Sequence, residues 1–177
     1  MPIARSLFSE VKKLRVFDFD DTLVKTTSFI YVTHKDGKES KLTPGQYAVY
    51  KERPGDEFDF RDFDSVNDPI EIKAITTVLR RVLAGSGDRG VFILTARAAW
   101  KPIKEYLKDI GIRGVHVVAL ASNNPKDKAD WIEKQIDLEG YDDIYFVDDS
   151  KKNVDAVKAM LKGKNVKHQV QHMKHKD

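Results

Sequence analysis

Three short apolar runs in this chain end in polar residues that can do chemistry. Residues 14–17 lead into Asp18-Phe19-Asp20-Asp21-Thr22, residues 91–94 into Thr95-Ala96-Arg97, and residues 144–147 into Asp148-Asp149-Ser150. Lys128 stands before the third run, near the start of a helical stretch. A carboxylate can attack an electrophilic centre and split one displacement into two easier ones. A second carboxylate two residues on can give and take the proton. Several carboxylates gathered in one place repel unless they share a cation or a proton. An all-oxygen donor set of this kind suits Mg²⁺.

The elements that must bring these residues together are legible as a pattern. The runs at 14–17, 91–94, 115–120 and 144–147 are short, apolar and bounded by Gly, Asp or Asn, as expected of parallel strands covered on both faces. Helical spacing lies between them, over 70–83, 98–110, 126–136 and 150–161. Alternating strands and helices predict an α/β fold, a Rossmann-like three-layer sandwich with a parallel central sheet. In such sheets ligands bind beyond the carboxyl ends of the strands, where all the polar clusters would then meet.

Residues 25–68 break the alternation. At more than forty residues the segment is too long for an ordinary connection. It reads as a small insert after strand one, a hairpin turning at Asp36-Gly37 followed by a short helix near 46–50, lying over the active face. Residues 1–161 form one domain in this reading, and 162–177 a basic, flexible tail.

Asp18-x-Asp20-x-Thr22-Leu23 after an apolar strand resembles the first motif of the haloacid dehalogenase superfamily. Thr95, Lys128 and the Asp148–Asp149 pair resemble its second, third and fourth motifs, in order, and the likeness covers roughly residues 12–161. Within that superfamily an acid two positions after the nucleophile, as at Asp20, resembles the phosphatases. The resemblance implies phosphomonoester hydrolysis through an aspartyl-phosphate on Asp18, with Asp20 as general acid and base. Mg²⁺ would be held by the Asp18 carboxylate, the Asp20 carbonyl and Asp148, with Asp149 direct, through water, or only supporting the loop. The Thr95 hydroxyl and the Ala96 amide would hold the phosphoryl group, and Lys128 would balance its charge. Substrates in the similar small phosphatases include nucleotides and nucleic-acid 3′-phosphate ends.

Several residues carry two readings. Lys126 competes with Lys128 as the phosphate-binding lysine if Asn124 and Pro125 open the helix. Arg97 either touches substrate or pairs with a carboxylate. Ser150 is a helix cap or a ligand, Asn153 reads as first-turn helix structure, and Asp21 reads as structural where the family often has glycine. Phe58, Phe60 and Phe63 with Tyr47 and Tyr50 form either the insert's own core or a platform for a nucleobase. His168, His172 and His175 belong to a basic tail or to a metal site.

Bulk properties bound the rest. The chain has 177 residues, a size for one domain. It has no cysteine, which excludes disulfides and thiol nucleophiles. The net charge is +3, but residues 162–177 carry five lysines and one aspartate, so the body is near neutral. That weakens a nucleic-acid reading. No run approaches the roughly 18 apolar residues of a membrane span, and residues 1–10 lack a signal-type apolar core. The expectation is a cytoplasmic protein with a phosphorylated substrate, no membrane and no obligate protein partner. The rivals are a receiver-like phosphoacceptor module and a catalytically idle phosphate-binding protein. The acid spacing at strand one and the intact Asp18 and Asp20 argue against them.

Overall fold

A computed structural model describes residues 11–85 and 89–174. The first strand, β1 (Lys13–Phe17), is buried on both faces, with Leu14 and Val16 in one apolar cluster and Phe17 in the other. After β1 the chain forms β2 (Val24–Lys25), β3 (Ile30–Thr33), β4 (Glu39–Leu42), α1 (Pro44–Ala48), β5 (Glu57–Asp59) and β6 (Ile70–Glu71). It then alternates regularly: α2 (Lys73–Ala84), β7 (Arg89–Thr95), α3 (Lys101–Asp109), β8 (His116–Ala119), α4 (Pro125–Glu139), β9 (Asp143–Asp148), α5 (Lys151–Lys162) and β10 (Lys167–His172).

The central sheet has five parallel strands in the order β10-β9-β1-β7-β8. Helices cover both faces. Ile75 and Leu79 of α2 and Ile103 and Leu107 of α3 pack with Phe17 and Ile93. Ala129, Ile132 and Ile136 of α4 and Val157 and Leu161 of α5 pack with Leu14, Val16 and Phe146. Such two-sided burial makes the inner strands β9, β1 and β7 read as apolar runs. The chain moves from β1 through β7 to β8 on one side, then crosses back to β9 and β10 on the other. Its direction reverses between β1 and β9, the place where ligands bind in open α/β sheets.

Between β2 and β6 the chain leaves this sheet. Val24–Lys25 pairs antiparallel with Ile70–Glu71, so the excursion starts and ends at neighbouring residues. Inside it, β3 and β4 form a hairpin whose turn carries Gly37 at φ +86°. There the Asp36 side chain accepts the Lys38 amide at 2.9 Å. Thr43 and Gln46 form a reciprocal capping box that starts α1. β5 adds to the free edge of β3, giving a three-stranded antiparallel sheet, β4-β3-β5.

Two expectations need correction. Residues 162–177 are not simply a flexible tail: Lys167–His172 is an edge strand parallel to β9. Its hydrogen bonds come from the backbone, so it needs no apolar run, and Val170 is its one aliphatic residue. Lys and His side chains on such an edge also discourage pairing with other chains. The helix expected to begin at residue 70 begins at Lys73, because Ile70 and Glu71 are taken by the pairing with β2.

Candidate active site

Register places the central acids. Phe17 of β1 pairs with Val147 of β9, so Asp18 and Asp148 emerge side by side from adjacent strands at the reversal point. The Asp18 amide donates to the Val147 carbonyl at 3.0 Å. Asp148 is fully buried and Asp18 is 6% exposed. Lys128, from the first turn of α4, reaches between them. Its Nζ donates to Asp18 Oδ1 and to Asp148 Oδ2, each at 2.8 Å. Asn124 caps α4 and Pro125 opens it, which points this lysine at the sheet. Lys126 faces outward and pairs with Asp130 at 3.0 Å, so Lys128 is the lysine of the site.

The other donors around these acids were only partly legible. Thr22 Oγ1 donates to Asp18 Oδ2 at 2.9 Å. Asn153 Nδ2 donates to Asp148 Oδ2 at 3.1 Å, a contact missed in reading Asn153 as helix structure alone. The Ser150 hydroxyl accepts the Asn153 amide and caps α5, while its own amide donates to Asp148 Oδ1. Asp21 lies at φ +59°, a left-handed conformation that favours glycine and that Asp tolerates better than most residues. From the C-terminal strand, a ring nitrogen of His172 lies 2.9 Å from the Asp149 carbonyl. His168 Nδ1 lies 3.2 Å from the Val166 carbonyl, and His175 lies outside the described residues.

Oxygens of Asp18, Asp148 and Asp149 lie within 4.8 Å of one another, and among the described residues these three could hold a metal ion. Burial pushes the Asp18 carboxyl well above the usual carboxylate range; Asp148 adds to this and Lys128 opposes it. Burial likewise lifts Asp149 to about 7. With all three ionised, these carboxylates against one ammonium carry two negative charges, which one divalent cation would neutralise. The hard oxygen donors fit such an ion. The Asp20 carboxylate is not part of this trio.

Asp20 instead meets Arg97. The guanidinium donates through Nε and Nη2 to the two Asp20 oxygens at 2.9 and 2.8 Å, a bidentate fork. Its Nη1 donates to the carbonyls of Phe63 and Ser65 at 3.1 and 2.7 Å. Four of the five guanidinium protons are thereby used, and Arg97 is 4% exposed. Of its two sequence readings, substrate contact gives way to carboxylate pairing. Thr95 is buried beneath the loop, its hydroxyl accepting the Arg97 amide at 3.1 Å, whereas Ala96 lines the cleft above.

That cleft has a volume of about 510 Å³ and lies between the strand ends and the excursion. Asp18, Lys128 and Asp148 form its chemical end; Ile30, Pro44, Tyr47, Phe60 and Phe63 supply an apolar wall. The aromatic group thus divides. Tyr50 and Phe58 pack inward with Tyr47, while Tyr47, Phe60 and Phe63 also face the cleft. Across its mouth, Asn123 Nδ2 donates to the Tyr47 hydroxyl at 3.1 Å.

Comparison of the chain with protein-family models, curated proteins and solved structures finds no match. No helix among the described residues is long and apolar enough to cross a membrane.

Proposed function

We propose that this chain is a Mg²⁺-dependent phosphomonoester hydrolase of the haloacid dehalogenase type, acting in the cytoplasm, with Asp18 as its nucleophile. The observation that carries the reading is the Asp18 carboxylate itself. It is nearly buried at the sheet's reversal point, held by Lys128 and Thr22, and grouped with Asp148 and Asp149. Mg²⁺ bound by Asp18, Asp148 and Asp149, with the Asp20 carbonyl, would supply positive charge to the phosphoryl oxygens.

The residues of the chain then divide the work. An Asp18 oxygen bonds to phosphorus as the bond to the ester oxygen breaks. Asp20 is the group that delivers a proton to that departing oxygen. In the second half water attacks the aspartyl-phosphate, Asp20 takes a proton from the water, and phosphate leaves with Asp18 restored. Lys128 stays on Asp18 and Asp148 and balances charge, and the loop at Ala96 borders the phosphoryl position. Thr22 and Asn153 fix the orientation of the two central acids.

Replacing Asp18 with Asn tests this directly. The amide cannot attack phosphorus, so hydrolysis of p-nitrophenyl phosphate should fall by at least about 10³-fold, beyond the span of losses usual for positioning effects alone. The melting temperature should stay near that of the wild type. Near-normal turnover in this variant would overturn the mechanism.

A further inference from the structure

The cleft also bears on which phosphate esters can enter. Phe60 is 43% exposed, and of the exposed large apolar side chains among the described residues it is the one that lines the cleft. Its ring is nevertheless held on two sides. Tyr47 meets it edge-on, centroids 5.5 Å apart at 89°, and Phe63 lies 6.4 Å away. An aromatic face fixed by neighbours and left open toward a cleft is a stacking surface of low ordering cost. Ser122 and Asn123 add polar groups to the lining.

Charge narrows the choice further. Asp18, Asp20, Asp21, Asp64, Asp148 and Asp149 all line the cleft, against Arg97 and Lys128 as its cations. Both cations are already engaged, Arg97 with Asp20 and Lys128 with Asp18 and Asp148. Even with a divalent ion added, the lining stays negative. A second phosphate between the reacting phosphorus and the rest of the ligand would meet carboxylates and, among the described residues, find no free cation in the lining.

We infer that the substrate is a nucleoside carrying one phosphomonoester, its base stacked on Phe60, with no further phosphate between base and reacting phosphorus. A free mononucleotide and the 3′-phosphorylated end of a strand both satisfy this chemistry. The inference rests on the phosphatase reading above.

The test compares kcat/KM, with Mg²⁺, for adenosine monophosphate, a 3′-phosphorylated trinucleotide, glycerol 2-phosphate and adenosine triphosphate. Wild type should favour the monophosphate, the trinucleotide or both over glycerol 2-phosphate by about 5- to 150-fold, the range of one base–aromatic stack. Which of the two is favoured identifies the source. Phe60→Ala should erase that advantage while leaving glycerol 2-phosphate within about twofold, since only the stack is removed. Phe60→Leu keeps apolar bulk without a flat face, guards against a folding artefact, and should lose most of the same advantage. Equal loss on all esters, no ring advantage in wild type, or adenosine triphosphate turned over as fast as the monophosphate would each overturn the inference. If glycerol 2-phosphate is hydrolysed without ring preference, only the inference fails. If no ester, p-nitrophenyl phosphate included, is hydrolysed, the phosphatase reading falls with it.

Discussion

Arg97 is the residue whose two sequence readings the structure separates, in favour of carboxylate pairing. Its type and its place after Thr95 fit a phosphate contact, yet its fork closes on Asp20, 77 residues earlier in the chain. No local pattern encodes such a pairing; it follows from β1 and β7 lying side by side. Asp18, Lys128 and Asp148 were legible because each sits at a fixed offset from a strand end or helix start, where backbone direction decides where a side chain goes. We read Arg97 as a positioning residue for Asp20. Arg97→Lys keeps the charge but loses the planar fork. It should lower kcat by about tenfold or more, a fraction of the 10²–10⁴ that a placed acid–base group contributes. KM should change little, and the pH profile of kcat should change shape. A raised KM with kcat intact would mean that Arg97 binds substrate after all.

At the scale of elements, the apolar strands and amphipathic helices were legible in place and type, with ends off by up to three residues, because burial on both faces imposes a strong period. β5 and β10 were not. β5 has one half-buried residue, Phe58, between exposed acids, and β10 is a polar edge. Both are held chiefly by backbone pairing, which leaves little mark on composition. The excursion depends instead on a polar node. Asp56 accepts from the Tyr50 hydroxyl at 2.6 Å, the Arg53 amide at 2.9 Å and His34 Nδ1 at 2.8 Å, tying β3 to the chain that enters β5. The Tyr50 hydroxyl, the Arg53 amide and His34 together hold the Asp56 carboxyl down to about 2. Its unfolded value is about 3.9. The folded form therefore binds the proton less readily, and the stabilisation is complete above about pH 4 and lost as pH falls toward 2. Thermal melts of wild type should show this acid-side loss, and Asp56→Asn should lack that component and melt lower at pH 7. Parallel curves for the two proteins from pH 7 to pH 2 would remove Asp56 from the account.

On the scale of the whole molecule, the proposed metal site joins the two sides of the sheet across β1 and β9. An ion that binds only the folded chain stabilises it by about 2.7 kcal/mol at a concentration 100 times its dissociation constant. For a domain of this size that is a rise of about 5–11 °C in melting temperature. Acidity sets the sign of its pH dependence. Burial lifts Asp149 to about 7, above its unfolded value, so without metal the folded protein holds the extra proton between about pH 4 and 7. Metal-free stability therefore falls as pH rises through that window, and a cation that replaces the proton should stabilise more at pH 8 than at pH 6. No Mg²⁺-dependent rise at pH 8, or the same rise in Asp148→Asn, would contradict the site. The order of strands also governs how the molecule comes into being. β1 is made first yet lies between β7 and β9, and Asp148 leaves the ribosome more than a hundred residues after Asp18. At ordinary synthesis rates that gap is on the order of ten seconds. Through that interval one long edge of β1 has no partner strand, and Asp18 has neither Asp148 and Asp149 nor, for most of the time, Lys128. Under the proposed mechanism a nascent chain is silent until β9 docks, and the exposed edge of β1 is where a stalled or truncated product would aggregate.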